Sequence, residues 1–436
     1  DTMPIVGWPG RGASAKRGFG ARSGRSEGGF CDMDRDIPRA AALGKGPLDD
    51  CASSGLYGPR KRKRAPKGRA AGMGADYAVI GGGVVGLSVA WGLLARGHRV
   101  TILDGEDGTF RASRGNFGLI WVQSKGLKAP HYARWTQGSA ALWSDFSQDL
   151  ASATGESLSL TQNGGWDFHL TEESLAAKVA QYEALRAALG GDYPFEVLGN
   201  NALRREEPEV GPRVAGAILH HQDGHVNPLR LLRALAADVR RQGATVHLNE
   251  RVTGVEARDG FRLTCASGRV VEAGRVVLCA GLGAMDLGPL FGFAAPVRPQ
   301  RGQVLVTEKL PKMLNRPSGI LRQVDEGGIQ IGDSKEEVGL DDGVTLDTAA
   351  GIAARAIAVL PRLEKVQMLR AWGALRIMSP DGLPIYQKSK TMPGAALVTC
   401  HSGITLAAAH ARLIPKWLDG DADAPDLEVF SETRFS

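Results

Sequence analysis

Residues 76–104 read DYAVIGGGVVGLSVAWGLLARGHRVTILD, and their reading decides the fold. A short apolar run, a glycine turn, a helix and a second apolar run closing on an acid make a complete βαβ unit of the dinucleotide-binding kind. Gly81 makes the tight turn out of the strand, Gly83 lets backbone approach a pyrophosphate, and Gly86 lets the helix pack closely on the sheet. The phosphates then lie at the positive end of the helix. Asp104 follows Gly81 by 23 residues, at the end of the second strand, where a carboxylate accepts hydrogen bonds from a ribose hydroxyl. The glycine spacing alone is a weak signal; strand, helix and terminal acid in register make it a strong one.

The chain of 436 residues is long enough for a large core and about two domains. Its charge is uneven. Residues 1–75 hold 15 Lys or Arg against 7 Asp or Glu, whereas the remaining 361 hold 38 against 40, so the basic character belongs to the tail. That tail is rich in Gly, Arg, Ser and Pro without periodicity, which predicts disorder over 1–73. The chain starts at Asp1, and Met73 stands three residues before the first strand, so residues 1–72 read as upstream sequence not native to the fold. The run Arg60–Arg64 (RKRKR) reads as a solvated charge run, and the near-neutral body argues against nucleic acid as a partner. Five cysteines, at 31, 51, 265, 279 and 400, show no C-x-x-C spacing, so neither a disulfide framework nor a metal or iron–sulfur site is expected, and a reducing, cytoplasmic setting is. No run of eighteen apolar residues occurs, which excludes a spanning helix and leaves peripheral membrane contact open.

Downstream, Thr171–Leu189 carries Leu175, Val179, Tyr182 and Leu185 on one helical face, with acids in its first turn and Gly190 at its end. Asn227-Pro228 is an N-cap with proline at the first helical position, opening a helix with Leu231, Leu232, Leu235 and Val239 that stops near Gly243. Thr245–Leu248 reads as a strand, Val252–Ala257 and Arg269–Val271 as paired strands, and Val276–Cys279 as a short buried strand. That last strand runs into Ala280-Gly281, small residues that let backbone approach a cofactor. Two further segments stand out: WGALRIMSPDGLP (372–384), which contains Arg376, and His401-Ser402-Gly403-Ile404-Thr405, where a glycine loop opens a helix.

In this order the segments resemble the glycine oxidase and D-amino-acid oxidase (DAO) group of FAD-dependent oxidoreductases, over residues 76 to about 420. The phrases SRGNFGLIWVQSKG (113–126), DGHVNPLRLLRAL (223–235) and CHSGITLAAAHA (400–411) bring the body closer to the β subunits of D-hydroxyproline dehydrogenases, with hydrogen cyanide synthase and opine oxidase subunits as relatives. The resemblance implies an α/β fold: a Rossmann-like FAD-binding domain, from 74–157, 212–295 and 366–420, interleaved with a substrate domain on a mostly antiparallel sheet, from 158–211 and 296–365. Residues 421–436 remain as a C-terminal tail. Residues 296–308 and 327–337 read as strand regions of the substrate domain, with Arg301-Gly302-Gln303 at a turn typical of the family.

The same resemblance assigns roles. Gly81, Gly83, Gly86 and Asp104 hold the ADP half of a non-covalent FAD; Ser113, Arg114, Gly115 and Asn116 form the loop from pyrophosphate to flavin; Val252 meets the adenine; Ala280 and Gly281 make a second contact; Gly403, Ile404 and Thr405 lie beside the pyrimidine end of the flavin. Arg376 anchors the substrate carboxylate, a task suited to the planar guanidinium fork, or else makes a surface or interdomain salt bridge. For His401 two readings stand, facing the substrate or orienting the loop. Trp121, Trp166 and Tyr386 either line a substrate cavity or pack in the core, and His225 reads as structural. The implied reaction is oxidation of a C–N bond in a small amino or imino acid such as D-hydroxyproline or D-proline, by hydride transfer to flavin N5, with electrons passing to an α-type subunit carrying an iron–sulfur centre. A stand-alone oxidase using oxygen, a flavoprotein of tRNA modification, a nicotinamide-dependent dehydrogenase and a purely structural FAD site are the competing readings.

Overall fold

The computed structural model of the chain describes residues 74–105 and 112–436. The basic segment 1–73, including the RKRKR run, lies outside them. The βαβ unit forms as read: strand Ala75–Ile80, helix Val84–Ala95 and strand Val100–Asp104, with Tyr77 beside Val100 and Ile80 beside Leu103 in parallel register. Ala78 and Val79 point to opposite faces of the sheet and are both fully buried, which is why the strand reads as a continuous apolar run.

The main sheet runs Ile385–Lys388, Ala395–Thr399, Val270–Leu278, Ala75–Ile80, Val100–Asp104, Thr245–Leu248. Neighbours are parallel except at the edge, where Ile385–Lys388 is antiparallel to Ala395–Thr399. Segments far apart in sequence thus end on one side of one sheet. Helix Pro228–Arg241 begins where the Asn227 side chain accepts from the Leu229 and Arg230 amides, and it buries Leu231, Ala234, Leu235 and Val239 on one face. Helix Glu172–Ala188 is capped by Thr171, which accepts from the Ser174 amide, and it buries Leu175, Tyr182 and Leu185.

A second, wholly antiparallel sheet runs Leu321–Gln323, Gly328–Ile331, Arg298–Lys309, Met368–Met378. A third joins Gly165–His169, Gly216–His220 and Phe195–Gly199, also antiparallel.

The structure corrects several expectations. Strand Val252–Arg258 pairs with Gly260–Cys265, which in turn pairs with residues 270–273, so the two strands expected to pair directly are separated by a third. Arg269–Val271 and Val276–Cys279 are not two strands: Val270–Leu278 is continuous, its first half against the hairpin and its second between two parallel strands. The polar stretch between them marks the change of neighbours, and it looked like a break. Strand Met368–Met378 pairs along Arg298–Lys309, and Gly216–His220 belongs to the third sheet, so both sit in sheets other than the parallel one. Arg301-Gly302-Gln303 is no turn but mid-strand, opposite Leu375, Ala374 and Gly373. Residues 421–436 are packed: Phe430 is buried against Tyr386 and Trp135, Arg434 pairs with Asp381, and Glu432 accepts from the Ala294 and Ala295 amides. Trp166 and Tyr386, by contrast, follow the packing reading: both are buried, the first donating to Glu207 at 2.9 Å, the second bonded to Trp135 and His410.

Candidate active site

At the C-terminal edge of the parallel sheet the glycines act as spacing predicts. A Cβ on Gly81, whose φ is +114°, would come within 2.3 Å of the Cys279 carbonyl oxygen, and one on Gly86 within 1.9 Å of the Gly81 carbonyl oxygen. Helix Val84–Ala95 is therefore pressed onto the turn that precedes it. Gly83 occupies the N-cap, and Ser113 approaches it closely enough for its hydroxyl to accept from the Val84 amide at 3.0 Å. One Asp104 oxygen accepts from the Gly82 amide at 2.5 Å, and the other meets no donor among the described residues, which suits a ribose hydroxyl. The Glu250 amide donates to the Asp104 carbonyl at 2.8 Å, so the backbone leading into buried Val252 runs beside the acid. Ala280 and Gly281 follow strand Val270–Leu278, and the Ala280 backbone lies against Gly81.

The loop after residue 112 crosses to the second sheet. Gly115 is buried, its carbonyl accepts from the Trp372 indole at 3.0 Å, and a Cβ there would strike Ala374 at 2.4 Å. Asn116 turns the loop by accepting from the Gly118 amide, while Arg114 is exposed. Gly403 packs on the first turn of helix Val84–Ala95, where a Cβ would meet Val84 at 3.1 Å and Val85 at 3.4 Å. Ile404 is buried beside it. Thr405 is occupied within the protein: its hydroxyl accepts from the Trp121 amide at 3.1 Å, and its carbonyl accepts from Ser139 and Trp143. The helix expected after this loop is broken into Ala407–Arg412 and Ile414–Asp419, with Pro415 at the join, so no long helix aims an N-terminus here.

Arg376 lies on Met368–Met378 with its guanidinium laid over Gly302, where a Cβ would be 2.4 Å from Nη2. This is the reason for a glycine in mid-strand. Nη1 donates to the carbonyls of Ser334 at 2.7 Å and Arg301 at 3.1 Å, and Nη2 to Asp333 at 2.7 Å. The salt-bridge reading is thus realised, yet Nε meets no acceptor among the described residues and the side chain stays 19% exposed. His401 is half-buried, its Nδ1 3.4 Å from the Ser402 hydroxyl. Burial, then the charges of Lys125, Arg376 and Lys335, hold its pKa well below the usual histidine range, so it is a neutral imidazole. His225 bonds through Nδ1 to buried Arg322 at 3.0 Å; it lines a cavity of about 430 Å³ whose walls include neither Arg376 nor His401.

Three residues at this site escaped the sequence reading. Lys125 donates to Ser402 Oγ at 2.7 Å, and burial pushes its pKa down to about 8. Asp223 is fully buried, accepts from the Val122 and Gln123 amides at 2.6 and 3.3 Å, and burial raises its carboxyl to about 8. Asp333 is the partner of Arg376. The one available signal was a lysine three residues after the apolar run Leu119–Val122, inside a phrase already singled out. Among the described residues no group of three metal-ligating side chains occurs and no helix is long and apolar enough to cross a membrane.

The glycine cradle, the helix start beneath it and the Asp104 carboxylate suit FAD: without Cβ atoms at Gly81 and Gly86 the turn closes tightly on the start of the helix, the end that favours a pyrophosphate. Comparison with known proteins agrees. A family model for FAD-dependent oxidoreductases, DAO, matches residues 76–417. The chain is 42% identical over 361 residues to an opine oxidase subunit of Agrobacterium tumefaciens (strain Ach5), covering 83% of this chain and 97% of that protein. It is 29% identical to hydrogen cyanide synthase subunit HcnC of Pseudomonas protegens, covering 83% and 96%. The crystal structure of glycine oxidase from Geobacillus kaustophilus superposes with a TM-score of 0.77 at 25% identity, covering 83% of this chain and 98% of that one. The chain belongs to the DAO family of FAD-dependent oxidoreductases.

Proposed function

We propose that the chain is the catalytic subunit of an amine dehydrogenase complex, oxidising the C–N bond of an amino or imino acid whose carboxylate is held by Arg376. The observation that carries this reading is the 42% identity to the opine oxidase subunit, over 97% of that protein's length. An opine is a secondary amine flanked by carboxylates, the chemistry that the arginine and the neutral imidazole suit. Bound FAD, held non-covalently by the residues around Gly81, Asp104, Ser113, Val252, Ala280 and Gly403, supplies the two-electron acceptor. The chain's own part is orientation. Arg376 is braced by Asp333 and two carbonyls, so its remaining N–H edge presents a fixed fork to a carboxylate. His401, kept neutral, adds no positive charge beside the substrate nitrogen.

The opine oxidase and hydrogen cyanide synthase relatives are each named as one subunit of a larger enzyme, which supports a partner for this chain too. That partner is here read as the one that takes electrons onward through an iron–sulfur centre. The D-hydroxyproline and D-proline expectation rests on the sequence resemblance and forms one arm of the same test. The test is a dye-reduction screen over opines, D-proline, hydroxyprolines, glycine and sarcosine, with and without the co-expressed partner, alongside oxygen consumption. Opine-dependent dye reduction that rises with the partner supports the reading. Oxygen consumption on glycine without the partner would replace it by a stand-alone oxidase, and no reduction by any amine would remove it.

A further inference from the structure

Ser402 stands between His401 and two side chains whose hydrogen-bonding roles are fixed by their chemistry. The Lys125 ammonium donates to Ser402 Oγ at 2.7 Å, and the Tyr132 hydroxyl donates to it at 2.9 Å. An ammonium can only donate. The buried Tyr132 hydroxyl meets no other acceptor among the described residues, so turning it round would leave its proton unmet. A serine hydroxyl has two acceptor sites and one proton; here both sites are filled and the proton is what remains. One acceptor lies within its reach among the described residues, Nδ1 of His401 at 3.4 Å. His401 is neutral, so one ring nitrogen carries a proton and the other a lone pair. With the lone pair on Nδ1, the Ser402 proton has its acceptor. With a proton on Nδ1, two donors would face each other at a buried hydroxyl that has no acceptor site left. The far edge of the ring differs: Nε2 has no partner among the described residues, yet it is not sealed off from solvent. His401 also precedes by two residues Gly403, which packs on the first turn of helix Val84–Ala95.

We propose that Ser402, with both acceptor sites taken by Lys125 and Tyr132, is a positioning residue that holds His401 as the Nε2–H tautomer, so that the ring offers the substrate a donor and has no lone pair with which to take a proton from the substrate nitrogen. The substrate half of this rests on the amine-oxidising reading above; the tautomer is measured with no substrate present. Long-range proton–nitrogen correlation on the FAD-loaded full chain, carrying isotope-labelled histidine, shows which ring nitrogen is protonated. Among nine histidines the His401 signal is the one missing in His401→Gln. The wild type shows a protonated Nε2 and a lone pair on Nδ1. In Ser402→Ala the Nδ1–H form gains roughly three- to tenfold on the Nε2–H form, the worth of one lost hydrogen bond, and Ser402→Thr keeps the wild-type pattern. Should Ser402→Ala fail to fold, Lys125→Met gives the same gain, because it frees an acceptor site for an Nδ1–H. A wild type protonated on Nδ1, or a tautomer ratio that neither variant moves, overturns the proposal. With an amine active in the dye screen, Ser402→Ala raises half-saturation more than it lowers the limiting rate of anaerobic flavin reduction, as loss of a binding donor does. A loss confined to the limiting rate would make His401 a base and overturn the donor role. If the tautomer holds while no amine reduces the flavin, the positioning of His401 stands and the amine reading falls.

Discussion

Arg376 is structural in the fold and, in the role proposed for it, functional as well. Its ion pair with Asp333 and its two carbonyl acceptors fix the guanidinium, and the free Nε edge is what a substrate would meet. Arg376→Ala is expected to weaken carboxylate substrates by about 2 to 5 kcal/mol, because a desolvated charge loses its partner, and Arg376→Lys to recover only part, since a point charge lacks the fork. Anaerobic flavin reduction at rising substrate measures both; an alanine variant with unaltered half-saturation would remove Arg376 from the site. Lys125 adds a pH signature. Burial has lowered its pKa to about 8, so its positive charge, and the attraction it exerts on an anionic substrate, is lost as pH rises through 8, and half-saturation for a carboxylate substrate should climb over that range. Asp223, also near 8, faces the same ammonium, as do Cys400, Lys335 and Arg376. Asp223→Asn separates the two titrations: a climb that persists belongs to Lys125, and a climb that vanishes does not. None of this was legible beforehand except Arg376 and His401. A single lysine or aspartate obeys no spacing rule, and its role arises only when residues 43 to 277 positions apart meet.

At the scale of elements, the glycine turn and its helix were readable because sterics dictate them: nothing larger fits at Gly81 or Gly86. Gly86→Ala should therefore force the turn and helix apart, giving a protein with a lower Tm and less flavin per chain after purification. Gly138 offers the contrast, since it lies within helix Pro130–Ala141 and an added Cβ there meets nothing within 4 Å. Gly138→Ala should leave flavin content alone and stabilise by about 0.5 to 1 kcal/mol, the usual helix preference for alanine. Equal flavin content in the two variants would mean that the cradle is not a cofactor site. Strand pairing was harder to read than strand existence. Gly260–Cys265 intrudes between two segments that looked like direct partners, and Val270–Leu278 changes neighbours halfway along, because alternation reveals which face is buried and says nothing about which strand lies alongside. Gly302 misled in the same way: a glycine that reads as a turn is extended, and it is small to admit the guanidinium of Arg376 from the facing strand.

For the molecule as a whole, the proposed cofactor contacts come from six separated stretches: 81–86, Asp104, 113–116, Val252, 280–281 and 403–405. The parallel sheet brings most of them together by interleaving its strand order, and the loop through Gly115 ties the group to the antiparallel sheet through Trp372 and Ala374. A ligand lying across these stretches binds the folded chain and has no counterpart in the unfolded one, so it stabilises by RT ln(1 + [L]/Kd), roughly 2.7 kcal/mol at a hundredfold excess over Kd. Stripping FAD should accordingly lower Tm, and adding it back should raise Tm with the logarithm of its concentration. Protection against amide exchange should return together at the Gly81 turn, the Asp104 strand end and the 403–405 loop, since one ligand orders all three. AMP alone should restore protection at Gly81 and Asp104 and leave residues 403–405 open, because only the flavin end is placed beside that loop. A Tm indifferent to FAD, or AMP protecting 403–405 as fully as FAD does, would show that these stretches do not form one cofactor site.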